Sequence, residues 1–262
     1  MLYISINKLI ISPFKYLTMK KYFTLFVALL ISVKVFSQQI IFEGTYVKAH
    51  DIEAYDEYIE QVFSKVHQQR IDKGLIIGWD VWKVVDNPQE GFTHMLTTIY
   101  QVENQEEINE FEPTWGDGLF SRDVTLRGKD LRSIREIVGV VKYMGLAQIR
   151  KPGIEEAPSY LVMNIIKLKN EKWKSYEDAE INGTKSISDN DLRVGWDFHR
   201  RVDDYGTDIS HTHVTADWYD SHESFLRSSM GSASDSNKAY QKMLGLRDLK
   251  YRVLMKKHMS LR

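Results

Sequence analysis

The chain has 262 residues, of which 43% are hydrophobic and 27% charged, so it can bury a substantial core and lacks the composition of a disordered protein. It contains no cysteine, which excludes disulfides, thiolate metal sites, a cysteine nucleophile and lipid attachment through cysteine. Its net charge of −1, without long Lys/Arg tracts, excludes the charge pattern of a nucleic-acid-binding protein.

The N-terminal residues have the order of a secretory signal peptide. Met19-Lys20-Lys21 precedes an apolar run from Tyr22 to Val33, and Val35 and Ser37 stand at the positions read by a signal peptidase. We therefore expect a signal peptide over residues 1–37, cleavage after Ser37, and a periplasmic or secreted protein without a stable membrane anchor. An uncleaved anchor is the alternative, but the run is shorter than the roughly 20 residues of a membrane span. Two explanations account for residues 1–18. Either translation begins at Met19 and the start has been assigned too early, or these residues are a long N-terminal region of the signal peptide.

The elements of residues 38–150 are predicted to run βαββαβ. Strands are expected over Ile40–Lys48, Leu75–Val85, His94–Val102 and Arg135–Tyr143, from their alternation and β-branched content. Asp51 can cap a helix that ends near Gly74. A second helix is expected from Asn104 to Phe111, and a turn at Asp86–Gly91.

The second half repeats this order after a linker. Gly78-Trp79-Asp80 recurs as Gly195-Trp196-Asp197, and His94 and His211 each lie fifteen residues after the tryptophan. These matches predict an internal duplication, with a first unit at 38–150, a linker at 151–158 and a second unit at 159–262. The expected strands are Tyr160–Leu168, Leu192–Val202, His211–Tyr219 and Tyr251–Met259. The expected helices are Glu171–Asn182, Ser221–Ser228 and Asp235–Leu244.

Two βαββαβ units with long hairpins resemble the dimeric α/β-barrel superfamily as a fused tandem. The stretch from His67-Gln68-Gln69-Arg70 to Gly74, followed by Trp79, is similar to uncharacterised exported members of that superfamily from Bacteroidetes-type bacteria. The resemblance implies an α+β fold of two ferredoxin-like units. Their four-stranded antiparallel sheets would face each other as an intramolecular barrel, for which a monomer suffices. The resemblance implies no particular catalytic residue, because the superfamily includes proteins of many functions: cofactor-independent monooxygenases, haem-handling enzymes, lyases and stress-response proteins.

Strand alternation predicts which side chains face the space between the sheets. In the second strand of each unit, Trp79, Val81, Trp196 and Phe198 are expected under the helices, and Asp80, Trp82, Asp197 and His199 in the cavity. In the third strand, Thr212, Val214, Ala216 and Trp218 are expected under the helices. The cavity set there would be His211, His213, Thr215 and Asp217, with His94, Leu96, Thr98 and Tyr100 in the first unit.

These positions define the predicted site. His199, His211 and His213 are the candidate catalytic residues, with one histidine acting as base, and Trp82, Tyr100, His94, Asp197 and Asp217 are the candidate ligand-binding residues. The same three histidines are the alternative ligands of a transition metal, because His-x-His projects two imidazoles to one side of a strand. No cofactor is the first expectation, and haem is supported only by the presence of a histidine. Histidines that merely form structural hydrogen bonds are the remaining alternative.

The predicted function is that of an exported protein that binds a small organic molecule, with cofactor-independent oxygenation or isomerisation as its catalytic option. The alternatives are a non-catalytic interaction or assembly protein and a histidine-ligated metal enzyme.

Overall fold

The computed structural model describes residues 39–85, 91–114, 131–154, 156–169, 172–204, 206, 208–231 and 238–262. The predicted signal peptide and nearly all of the first hairpin turn lie outside these residues. Within these ranges, no helix combines the length and the apolar character required to span a bilayer.

Eight strands and seven α-helices are found in the described residues. The strands are β1 (Ile40–Ala49), β2 (Gly78–Val84), β3 (His94–Gln101), β4 (Arg135–Arg150), β5 (Tyr160–Leu168), β6 (Gly195–Arg201), β7 (His213–Tyr219) and β8 (Arg247–Leu261). The helices are α1 (Ile52–Tyr58), α2 (Ser64–Asp72), α3 (Gln105–Glu110), α4 (Leu131–Ile134), α5 (Trp173–Gly183), α6 (His222–Gly231) and α7 (Lys238–Leu244). A π-helical segment, Ile59–Phe63, joins α1 to α2, and a 3₁₀ turn, Val102–Asn104, precedes α3. Asp51 caps α1 as predicted, accepting from the backbone N–H of Ala54 at 3.1 Å.

All eight strands belong to one closed antiparallel barrel, in the order β1-β3-β2-β8-β5-β7-β6-β4. The long strands β4 and β8 join the two halves. The first part of β4 pairs with β1 and its last part, from Tyr143, pairs with β6. In the same way β8 pairs first with β5 and then, from Met255, with β2. The α+β class with antiparallel strands is therefore confirmed.

The barrel has an inner and an outer apolar face. Trp79 and Val81 of β2 pack outside with Tyr55 and Ile59, and Trp196 and Phe198 of β6 pack outside with Tyr176 of α5. These positions agree with the predicted helix-facing set. A third cluster, which includes Trp82, Met163 and Trp218, fills part of the interior.

The predicted orientation of β3 and β7 is wrong. Trp79 lies opposite Thr98 and Val81 lies opposite Leu96. Because residues directly opposite each other in an antiparallel pair share a face, the helix-facing β2 side chains place Leu96 and Tyr100 on the helix side as well. The inward residues are Met95, Thr97 and Ile99 in β3 and Val214, Ala216 and Trp218 in β7.

The register also corrects which histidines correspond in the repeat. Lys83 pairs with His94, and Arg200 pairs with His213, so the partner of His94 is His213 rather than His211. Eleven positions separate Lys83 from His94 and thirteen separate Arg200 from His213, which makes the second hairpin two residues longer. The constant offset assumed from the tryptophan motifs therefore fails within the hairpin.

Candidate functional site

A cavity of about 610 Å³ lies within the barrel. Strands from both halves supply its walls, because alternate residues of each strand point inward. Its apolar lining comprises Phe42, Trp82, Met95, Ile99, Leu161, Met163, Val214, Ala216 and Trp218. Its polar lining comprises Asp80, Thr97, Tyr143, Gln148, Arg150, Glu156, Asp197, His199, Lys257, Ser260 and Arg262. Ile154 and Ala157, from the segment that joins β4 to β5, also line the cavity.

His199 is a buried imidazole in the cavity wall, with 9% of its surface exposed. Its Nδ1 has no hydrogen-bond partner within the described part of the chain. The edge of Phe42 contacts its ring at 4.6 Å between centroids. Burial lowers the pKa of His199 against the opposing effect of Asp197, and nearby Arg150 lowers it further. A neutral imidazole with an unused nitrogen can accept a proton from a ligand or bond to its hydroxyl or carbonyl oxygen.

Gly145 on β4 leaves room for the ring of Phe42 that packs on this imidazole. A Cβ at Gly145 would lie 3.3 Å from the ring of Phe42 and 3.9 Å from Nδ1 of His199. The contact with Phe42 would be tight, whereas the contact with His199 would be an ordinary van der Waals distance.

Two arginine–aspartate pairs neutralise charge along the cavity wall. Arg150 donates to both carboxylate oxygens of Asp197, at 2.5 and 2.8 Å, and its guanidinium lies 4.9 Å from the ring centroid of Trp218. The corresponding pair joins Arg262 to Asp80, with both distances 2.9 Å. Because each guanidinium already faces a carboxylate, neither is a free cation for an anionic ligand.

A chain of hydrogen bonds runs from the barrel interior to the protein surface. The hydroxyl of Tyr46 lies 2.9 Å from that of Tyr143, which lies 2.7 Å from Nε2 of His211. Nδ1 of His211 lies 2.8 Å from the hydroxyl of Ser210, and Ser210 is exposed. Tyr143 lines the cavity, whereas His211 is not among the lining residues and contacts Tyr143 through Nε2.

His94 and His213 lie outside the barrel, contrary to the prediction. Nε2 of His213 bonds to Glu177 of α5 at 2.9 Å, and Arg200 bonds to the same carboxylate. Nε2 of His94 bonds to Asp56 of α1 at 3.0 Å, and Lys83 bonds to that carboxylate. Each histidine thus connects a helix to the outer face of a strand by a hydrogen bond. Because the same arrangement occurs in both halves, we assign His213 a structural role.

Tyr100 and Asp217 also lie outside the cavity. The hydroxyl of Tyr100 donates to Gln105 at 2.6 Å, and the ring packs with the outer cluster of the first half. Asp217 accepts from Asn164 at 2.8 Å and from Arg193 at 3.1 Å. Of the predicted ligand-binding residues, the structure places Trp82 and Asp197 at the cavity, and His199 is the one predicted catalytic residue among its lining.

The three histidines of the metal hypothesis do not converge. His199 lies in the cavity wall, Nε2 of His211 faces Tyr143, and Nε2 of His213 faces Glu177 on the other side of the sheet. Across the residues that the structure describes, no group of three His, Cys, Asp or Glu side chains is arranged to hold a metal ion.

Several cavity residues were missed by sequence reasoning. Ala216 and Trp218 were predicted on the wrong face, Met95 was not among the predicted residues, and Arg150 lies beyond the predicted end of its strand. Ile154 and Ala157 were assigned to a linker. The strand residues could have been found from the register of the hairpins, because opposite residues share a face. No comparable sequence pattern indicates that the linker residues Ile154 and Ala157 line the cavity.

Comparisons with solved structures identify the fold. The chain is similar to an anthrone oxidase-like protein, with a TM-score of 0.56, 12% identity, and coverage of 86% of this chain and 94% of the other. It is also similar to a protein of Fusobacterium nucleatum provisionally described as a monooxygenase, with a TM-score of 0.58, 13% identity and the same coverage. No family model matches the chain, and no curated protein matches it. At these identities the likeness shows the fold alone, which is a dimeric α/β-barrel fold.

Proposed function

We propose that this is an exported protein that binds a small organic molecule inside its barrel and carries out cofactor-independent oxygenation with His199 as base. The observation that carries the proposal is a buried, neutral imidazole in the cavity wall whose Nδ1 has no hydrogen-bond partner in the described part of the chain. The signal-like sequence of residues 1–37 supports export, and the internal Gly-Trp-Asp repeat supports a fused tandem of ferredoxin-like units.

The size of the cavity and the aromatic rings in its wall favour an aromatic ligand. A volume of about 610 Å³ lies within the range of small-molecule pockets. Trp82, Trp218 and Phe42 offer ring faces and edges against which a planar molecule can pack. Both arginines are paired with carboxylates, so an anionic ligand would find no unpaired guanidinium there.

The chemistry suits a carbon acid next to a carbonyl group. His199 would take a proton from such a ligand, and the resulting electron-rich enolate could react directly with dioxygen. Burial keeps the imidazole of His199 neutral, so it is available as a base without first losing a proton. The anthrone oxidase-like neighbour suggests anthrone as the first compound to test. In that oxidation the methylene carbon becomes a carbonyl with one oxygen atom of dioxygen, and the second oxygen atom leaves as water with the two hydrogens.

The test is the formation of anthraquinone from anthrone by residues 38–262 under air. The reaction should exceed the spontaneous rate and fall by about 100-fold in His199→Gln, the lower end of the range for loss of a general base. His213→Gln is the matched comparison, because it removes a buried histidine that lies outside the cavity. Equal rates in His199→Gln and the unaltered protein, or a specific loss in a folded His213→Gln variant, would contradict the proposal.

A second candidate function is interaction or assembly without catalysis. It is favoured by the exposed apolar run on β4, where Ile137, Val138 and Val140 are 50%, 48% and 45% exposed. Exposed apolar patches mark interaction surfaces when they are contiguous. Sedimentation equilibrium distinguishes the two functions, since the ligand-binding proposal needs only a monomer. A stable oligomer that Val138→Lys converts to monomer would favour assembly.

A further inference from the structure

The hydrogen-bond chain Tyr46–Tyr143–His211–Ser210 has the two properties of a proton path. It is continuous, with successive distances of 2.9, 2.7 and 2.8 Å between its polar atoms. It also connects different environments, because Tyr46 is buried in the barrel, Tyr143 lines the cavity and Ser210 is exposed. Every link between the cavity and the surface is a group that can both donate and accept a hydrogen bond.

The tautomer of His211 determines the direction in which a proton can move along this chain of hydrogen bonds. It is buried, with 5% of its surface exposed, and each of its ring nitrogens faces a hydroxyl. A neutral imidazole protonated on Nε2 donates to Tyr143 while its Nδ1 accepts from Ser210, and the other tautomer reverses both roles. The ring can therefore release a proton from one nitrogen as it gains one at the other.

We propose that Tyr143 and His211 form a relay that exchanges protons between the cavity and solvent. In the inward direction Tyr143 gives its hydroxyl proton to the ligand or to a water in the cavity, and Nε2 of His211 restores the phenol. In the same concerted shift Nδ1 of His211 takes a proton from Ser210 and Ser210 takes one from solvent, so one proton enters for each one delivered and no group of the relay is left charged. His211 ends as the other tautomer, which a shift in the outward direction restores. His211 is a positioning and relay residue, since it does not line the cavity.

The inference rests on the proposed function only for the destination of the proton. The proposed oxidation needs no net proton exchange, since both hydrogens leave as water, but the relay would let a proton in the cavity equilibrate with solvent during the reaction. The relay itself exists with or without a ligand, so it is tested on the unliganded protein. Failure of the exchange test would leave anthrone turnover as a separate question, and the reverse also holds.

The experiment measures the exchange of the Tyr143 hydroxyl proton with solvent. Residues 38–262 are labelled with carbon-13 at the ζ carbon of tyrosine, and the deuterium isotope shift in mixed H₂O and D₂O reports the exchange rate at fixed pH. Tyr143→Phe assigns the signal. Tyr176 is an internal reference in every sample, because its buried hydroxyl donates to Glu180 and has no part in the relay.

Two substitutions of His211 distinguish proton transfer through the imidazole from a hydrogen bond that only holds Tyr143 in place. We expect His211→Phe to slow the exchange of Tyr143 at least tenfold and to leave Tyr176 unchanged. His211→Gln can keep a hydrogen bond to Tyr143 but cannot pass a proton from one ring atom to another, so it should be as slow as His211→Phe. Exchange that stays at the original rate in His211→Gln, or that becomes faster in both variants through local opening, would overturn the relay.

Discussion

Arg150 and Asp197 form a two-point ion pair in the cavity wall, with Nη1 and Nη2 of the arginine 2.5 and 2.8 Å from the two carboxylate oxygens. Asp197 also accepts from Nε1 of Trp218 at 2.8 Å. Removing the carboxylate charge would leave a largely buried guanidinium uncompensated, which costs about 3 kcal/mol or more. We predict that Asp197→Asn lowers the free energy of unfolding by about that amount in urea denaturation.

The repeat provides the control for this substitution. Asp80 holds Arg262 in the same two-point geometry, but the side chain of Arg262 is 48% exposed against 21% for Arg150. Solvent screens the exposed guanidinium, so Asp80→Asn should cost only about 1 kcal/mol. If the two substitutions cost the same, burial of Arg150 would not be the source of the effect.

Stability should depend on pH through His211. Burial lowers its pKa from 6.5 to about 4. Between these values the unfolded chain binds more protons than the folded chain, so the free energy of unfolding should fall as the pH is lowered from 6.5 to about 4. His211 should contribute no further loss below about pH 4. Urea denaturation of His211→Gln should show a shallower fall over this window by up to about 3 kcal/mol, and an unchanged slope would contradict the assignment.

The segment that joins β4 to β5 should control entry to the cavity. Ile154 and Ala157 line the cavity, and the segment is held by bonds from Lys151 to the carbonyl of Asp191 at 2.5 Å and from Lys257 to the carbonyl of Ala157. The chain has no cysteine, so Ala216→Cys places a single thiol in the cavity. Adding Ile154→Gly should raise the rate of thiol alkylation by N-ethylmaleimide about tenfold, whereas adding Leu249→Gly at an exposed strand position should not. Equal rates in both double variants would show that entry lies elsewhere.

Metal binding through the three predicted histidines is not expected. Their separate hydrogen-bonding partners, Tyr143 for His211 and Glu177 for His213, hold them away from a common point. Elemental analysis of untagged residues 38–262, after equilibration with zinc, should therefore show less than one metal ion per chain, and the same content in a variant with His211→Ala and His213→Ala. A stoichiometric metal that this double substitution removes would restore the metal hypothesis.

The order of helices and strands could be predicted from the sequence because each element carries a local signal. Asp51 caps α1, and the alternation in Tyr160–Leu168 marks β5. The inner and outer faces of β6 also followed from alternation, because the apolar Trp196 and Phe198 alternate with the polar Asp197 and His199. The faces of β2 followed in the same way from Trp79 and Asp80.

The faces of β3 and β7 could not be predicted from their own residues. Both sides of β7 carry large or polar groups, with Trp218 and Ala216 on one side and His213 and Thr215 on the other, so alternation alone does not choose between them. The choice is made by the hairpin register, which places His213 opposite Arg200. The same register removed His94 and Tyr100 from the predicted site. The role of Ile154 depends on how the two halves are joined in space, which no local pattern records.

The most direct test of the central claim is the stoichiometry of anthrone binding to residues 38–262, measured by native mass spectrometry under argon to prevent oxidation. Ala216→Trp fills the cavity from β7, and Leu192→Trp adds the same side chain at an exposed position as a control. We predict one bound anthrone in the unaltered protein and in Leu192→Trp, and none in Ala216→Trp. Equal binding in all three proteins, or binding in none, would contradict a ligand site inside the barrel.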